Sequence, residues 1–227
     1  MKYIGDRNRE PRELSDYRQN TPNASYDGFH DKRIVKKSLI EEQGYICAYC
    51  MGKIKDVDNC SIEHFIAQQW HKDSPYEPQR HKDESLLYSN MMAVCLNNSE
   101  HCDKKRGNTP LKILNPHLEC CEELIEYTLD GNISCKGNEN IDVNDDIDIL
   151  GLNCDKLKKC REAVIDEIWE RFKEKHPKRT WSKDLFLNYA QKYRIKQQKK
   201  GNVYRFHAYC NFIAWYFDYF AHNYKQK

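Results

Sequence analysis

Hydrophobic periodicity divides the chain unevenly. Residues 1–32 are polar, broken by Pro11, Pro22 and Gly28, and predict an extended arm with at most a short helix. In "RIVKKSLIEEQG" (33–44), Ile34, Val35, Ser38, Leu39 and Gln43 fall at helical spacing, and Gly44 is a candidate C-cap. Residues 45–110 are rich in Cys, His and Asn and carry little periodicity. "EELIEYTLDGNISCKG" (122–137) reads as a β-hairpin turning at Asp130-Gly131 or Gly131-Asn132. The acidic run 139–153 predicts a loop. Over 154–175, Leu157, Cys160 or Arg161, Val164, Ile168 and Phe172 recur every three or four residues until Pro177 ends the pattern. Ser182 can N-cap a second helix running to about Gln197. In 203–224, Phe206, Cys210, Ile213, Phe217 and Phe220 form one stripe, read as a core or partner-docking helix rather than a base-stacking surface. Arg205, His207, Asp218 and His222 argue against a membrane span there.

Composition narrows this only a little. The chain has 227 residues, 39% hydrophobic and 12% aromatic, enough for one large domain or a small one with elaborations. Charged residues make up 32%, yet the formal net charge is only +2, so any basic surface for an anionic partner must be local. No apolar run of membrane-spanning length and no secretory leader is visible, which points to the cytoplasm and to no membrane partner. In a reducing compartment, eleven cysteines are expected to be thiols or metal ligands.

The cysteine spacing changes the picture. "CAYC" places Cys47 and Cys50 on one knuckle, and "CLNNSEHC" supplies Cys95 and Cys102 with six residues between them. Two such pairs make a tetrahedral thiolate site for structural Zn²⁺. The second loop is wider than usual, so His101 competes with Cys102 as a ligand. Cys60, Cys120, Cys121, Cys135, Cys154, Cys160 and Cys210 read as small buried hydrophobes. His71, His81, His117 and His176 lie in polar stretches and are expected to be exposed.

Between the cysteine pairs stand Glu63-His64, in "SIEHF", and Asn90, five positions before Cys95; "DKKRGN" follows Cys102. This order resembles the HNH endonuclease family. "EEQGYICAYC", "IEHFIAQ", "YSNMMAVC" and "HCDKKRGN" further resemble the HNH subunit of Septu-type anti-phage systems and of related retron-associated systems. The resemblance is close over 40–110 and looser beyond. It implies an α+β fold: a zinc-stapled ββα-metal nuclease core at 45–110, an N-terminal arm and helix at 1–44, and a hairpin plus mainly helical region at 111–227.

Phosphodiester hydrolysis needs a water nucleophile, a proton acceptor and a cation at the scissile phosphate. By the resemblance His64 is the general base, and its ordinary pKa suits that role near neutrality. Glu63 takes the position of an acidic metal ligand. Asn90 stands at the family's central Asn and either ligates the catalytic ion or holds the loop that orients His64. Asp103 departs from the pattern, since many relatives carry His directly after the last Cys; with Glu63 and Asn90 it makes an oxygen set suited to Mg²⁺ or Mn²⁺. Lys104, Lys105 and Arg106 form a short cationic run for substrate phosphate.

The resulting expectation is a metal-dependent endonuclease, with DNA favoured and RNA, including tRNA, as the alternative substrate. Its implied partners are an ABC/SMC-like ATPase and, in a retron setting, a reverse transcriptase with its msDNA. Two other readings stand beside it: a catalytically inactive zinc-stapled scaffold module, and a solitary restriction- or homing-type HNH enzyme.

Overall fold

The structure, a computed structural model, describes residues 1–5, 9–68, 84–96, 99–138, 140–178, 180–199 and 201–224. His71 and His81 lie outside the described residues. The described elements are α1 (Arg12–Asn20), α2 (Lys32–Glu42), β1 (Cys60–His64), β2 (Met91–Cys95), α3 (Cys102–Arg106), β3 (Ile125–Tyr127), β4 (Ile133–Cys135), α4 (Ile141–Ile149), α5 (Asp155–Lys175), α6 (Lys183–Arg194), β5 (Gln197–Lys199), β6 (Val203–Arg205) and α7 (Cys210–Asn223). The strands form three separate antiparallel ribbons, β1-β2, β3-β4 and β5-β6. The mixture of helices and small sheets is α+β.

Helix α2 ends as its sequence indicates. Gly44 follows the last turn at φ +63°, and a Cβ there would meet the Phe206 ring at 2.7 Å. Gln43, which caps the helix, turns inward. Its Oε1 accepts from Ala93 N at 2.7 Å and its Nε2 donates to the Ala93 and Ile46 carbonyls, so a side chain satisfies the free edge of β2. The ribbon β1-β2 pairs Cys60 with Cys95 and His64 with Met91.

Two expectations are overturned here. The acidic stretch 139–153 contains helix α4 rather than a loop. Asn140 caps it by accepting from Asp142 N, and Val143, Asp146 and Ile147 form its buried face. Asp146 is wholly buried because its carboxylate accepts the backbone N–H groups of Lys112, Ile113 and Leu114. Acidic composition hid a carboxylate used as an internal cap. The second correction lies in the C-terminal region. Ser182 caps α6 through Leu185 N, as expected, but α6 stops at Arg194. Gln197–Lys199 and Val203–Arg205 then form a hairpin, leaving Phe206 outside α7.

Helices α5, α6 and α7 meet in an aromatic core. Phe172 packs on Phe186, Tyr189 and Phe217, and Trp169 stacks on Phe220. The stripe on α7 is therefore core. On α5 the ambiguous position resolves to Arg161, fully buried, with Nε donating to Gly131 O and Nη2 to Leu152 O, each at 2.6 Å. His117 and His176 are half-buried rather than exposed; His176 Nε2 lies 3.0 Å from the Tyr189 hydroxyl. No described helix is long and apolar enough to cross a membrane.

Candidate active site and metal centre

Cys47 and Cys50 sit on a knuckle closed by the Ile46–Lys53 bridge, Cys95 ends β2, and Cys102 opens α3. Their four sulfurs lie within 4.8 Å of one another. The separations are 3.7 Å for Cys47–Cys102, 3.7 Å for Cys50–Cys95 and 3.9 Å for Cys95–Cys102. Four thiolates about 2.3 Å from a tetrahedral zinc stand about 3.8 Å apart, so the group has the spacing to hold a metal such as zinc. Cys102 adopts φ +57°, a strained conformation for a non-glycine residue that its amide secures by donating to Leu150 O at 2.7 Å. His101 lies outside the four-sulfur group; its Nδ1 is 3.2 Å from Cys102 Sγ, the position of a hydrogen-bond donor to a thiolate. The seven other cysteines lie outside it too.

Next to this centre, Ile62, Glu63, His64, Asp103 and Asn108 line an open groove of about 230 Å³. Glu63 and His64 are consecutive on β1 and turn to different partners. Glu63 Oε1 accepts from the Tyr49 hydroxyl at 3.1 Å and from Arg106 Nη1 at 2.6 Å. The Asp103 carboxylate lies within hydrogen-bond reach of Glu63 and accepts from Ser61 Oγ at 3.3 Å. Burial pushes the Glu63 carboxyl up to about 7; Arg106 opposes the rise and Asp103 adds to it. Two carboxylates this close could hold a hard cation, since a Mg²⁺-type ion needs only one or two from the protein.

His64 is packed edge-on against Tyr26, and its Nε2 lies 2.9 Å from the Ser85 carbonyl. A carbonyl can only accept, so Nε2 carries the hydrogen and the lone pair of the neutral ring is on Nδ1. Burial, then the charge of Lys32, lowers the His64 pKa from its ordinary value, against the pull of the Ser85 carbonyl and Asp103. The ring is thus neutral near pH 7 and able to take a proton.

Two expected roles change. Arg106 is 3% exposed and does not face a phosphate. Besides Glu63 it donates to the Tyr49 hydroxyl (2.7 Å), His64 O (3.3 Å), Phe65 O (2.5 Å) and Thr109 O (2.8 Å). It is a buried clamp that fixes the end of β1. Lys104 and Lys105 remain exposed. Asn90 does not line the groove. Its Oδ1 accepts from Ile66 N at 2.8 Å, and its Nδ2 donates to the Ile66 and Glu84 carbonyls. Of the two roles open to it, the geometry matches holding the loop after His64.

Tyr49, Ser61 and Ser85 escape sequence reasoning. Tyr49 is one of the two inner residues of "CAYC", and it ties the cysteine knuckle to the Glu63 carboxylate. A large aromatic between two ligand cysteines is a visible signal, but its partner lies 14 positions away.

No family model matches the chain. Over 144 residues it is 26% identical to a protein of Vibrio cholerae serotype O1 biovar El Tor named "Retron Vc95 putative HNH endonuclease". The match covers 60% of this chain and 66% of that relative's length. This similarity supports, at family level, the HNH resemblance read from the motifs.

Proposed function

We propose that the chain is a metal-dependent HNH endonuclease with a ββα-metal core, formed by β1, β2 and α3 around Glu63, His64 and Asp103. The observation that carries this reading is the pinned His64 ring: its Nε2 is held by Ser85 O, and it shares one groove with the Glu63–Asp103 carboxylates.

His64 Nδ1 accepts a proton from water as the water oxygen bonds to phosphorus; the P–O bond to the leaving oxygen breaks, and that oxygen is protonated from solvent. Glu63 and Asp103 would hold Mg²⁺ or Mn²⁺, which supplies charge stabilisation at the phosphate and leaving oxygen. Arg106 and Tyr49 keep Glu63 oriented, Asn90 holds the loop after His64, and the exposed Lys104 and Lys105 contact substrate phosphates in this reading. Cys47, Cys50, Cys95 and Cys102 hold structural Zn²⁺. DNA is the favoured substrate and RNA the alternative. The setting proposed is a Septu- or retron-type defence complex, in which an ABC/SMC-like ATPase gates the nuclease. The relative's retron name and the motif resemblance support that setting.

The test is cleavage of plasmid DNA and bulk tRNA with added Mg²⁺ or Mn²⁺, alone and with the candidate ATPase, comparing wild type with His64→Ala. Loss of cleavage in the variant, with zinc content unchanged, is expected. Equal cleavage by both proteins would remove His64 from the mechanism.

A further inference from the structure

A second groove, of about 570 Å³, lies between the zinc knuckle and the β5-β6 hairpin. Tyr45, Lys53, Lys199, Arg205 and Phe206 line it, and no Asp or Glu is among its lining residues. None of the three cations forms an ion pair among the described residues, and Lys53 and Lys199 are exposed. In a chain whose formal net charge is +2, three unpaired cations in one groove are a local concentration of charge. The Arg205 guanidinium lies 3.8 Å from the centroid of the Tyr45 ring. Tyr45 itself stands at φ +63°, unusual for an aromatic residue, with its amide donating to Ile40 O and its carbonyl accepting from Ile54 N. The hairpin is fixed against this segment, since Phe206 N donates to Gly44 O at 2.9 Å.

We propose that this groove binds the phosphate backbone of a nucleic-acid strand, as a contact separate from the groove of Glu63, His64 and Asp103. Cations interleaved with aromatic rings follow a strand by pairing with phosphates and stacking on bases. The inference rests on the nuclease reading for its biological sense, but it concerns binding and not cleavage. Lys196, which is drawn onto the Glu42 carbonyl, secures the hairpin and is not one of the phosphate contacts.

The experiment measures fluorescence anisotropy of labelled single-stranded and hairpin-duplex DNA probes on the full chain carrying His64→Ala, without added divalent ion. The variant is Lys53→Gln with Lys199→Gln. Both side chains are exposed, so folding is retained, and zinc content and melting temperature are checked. Each lost phosphate contact lowers the salt slope of log K by about 0.7 on a single strand, or about 0.9 on a duplex. The double variant should therefore lose about 1.4 of slope on the single strand, which is about 25-fold in affinity at 0.1 M salt against a 1 M reference. Adding Arg205→Gln brings the loss to about 2.1. A loss of this size on either probe supports the groove, and the larger effect identifies the strand form. Unchanged affinity and slope on both probes would overturn it, as would unchanged probe binding accompanied by lost association with an acidic protein partner. Because cleavage plays no part in the readout, inactive Glu63, His64 and Asp103 would sink the nuclease reading without touching this one.

Discussion

Arg106 separates two pictures of the site. If it were an exposed phosphate contact, Arg106→Met would weaken substrate binding and leave stability nearly unchanged. The structure instead places a guanidinium with 1% side-chain exposure against the Glu63 carboxylate and three backbone carbonyls. Removing one partner of a buried pair costs about 3–5 kcal/mol. For a chain of this size each kcal/mol moves the melting temperature by roughly 2–4 °C, so a fall of about 6–20 °C is expected. The pH dependence gives a further check. Glu63 is ionised in the folded protein only above about 7. The charge component of the loss is therefore largest at pH 8. At pH 5 Glu63 is protonated, and the loss shrinks to that of the unfilled carbonyls and the Tyr49 hydroxyl. Arg106→Lys should recover only part of the stability, because an ammonium cannot reproduce the planar fork. Adding Glu63→Gln to Arg106→Met should cost less than the sum of the two single changes. Urea titrations and thermal melts at pH 5 and pH 8 measure all of this. A wild-type melting temperature for Arg106→Met at pH 8 would refute the clamp.

Other expected outcomes can be checked alongside. The folded-state pKa of Glu63, about 7, lies above its unfolded value of about 4.3, so the folded state holds the proton longer and its contribution to stability declines as pH rises between those values; Glu63→Gln should flatten that decline in melts run from pH 4 to 8. At saturating divalent ion, cleavage should rise with pH and be half-maximal below about 6.5, since burial lowers the His64 pKa and the base acts only when neutral; a midpoint well above that value would argue against His64 as the base. One zinc per chain should be found by elemental analysis, lost in Cys102→Ser and kept in His101→Ala, which distinguishes a ligand from a neighbouring donor. Asn90→Ala should destabilise the fold by about 1–3 kcal/mol per unsatisfied backbone partner, with Mn²⁺ affinity unchanged; a large drop in Mn²⁺ affinity at unchanged stability would restore Asn90 as a ligand.

Several features of this protein were legible residue by residue. Paired cysteines on turns made Cys47, Cys50 and Cys95 candidates from spacing, while His101 competed with Cys102 across the wider second loop until the four sulfurs were found within 4.8 Å of one another. Glu63-His64 announces itself because two adjacent ionisable groups among apolar neighbours need a reason. Ser182, Gly44 and the 122–137 hairpin follow local rules of capping and turns, which act over a few positions. What tertiary structure decided is where each charge ends up. Arg106 reads like its neighbours Lys104 and Lys105, yet it is buried, because with Cys102 one turn earlier it lies on the inward face of α3, against Glu63 and the carbonyls at the end of β1. Asp146 turns an acidic run into a helix because three distant N–H groups need an acceptor. Arg161 fills a core position because the Gly131 and Leu152 carbonyls face it. Asn90 holds a loop because the Ile66 backbone lies within reach. A side chain's type limits what it can bond, but its burial and its partners depend on segments far away in the chain, and those are set only when the fold closes.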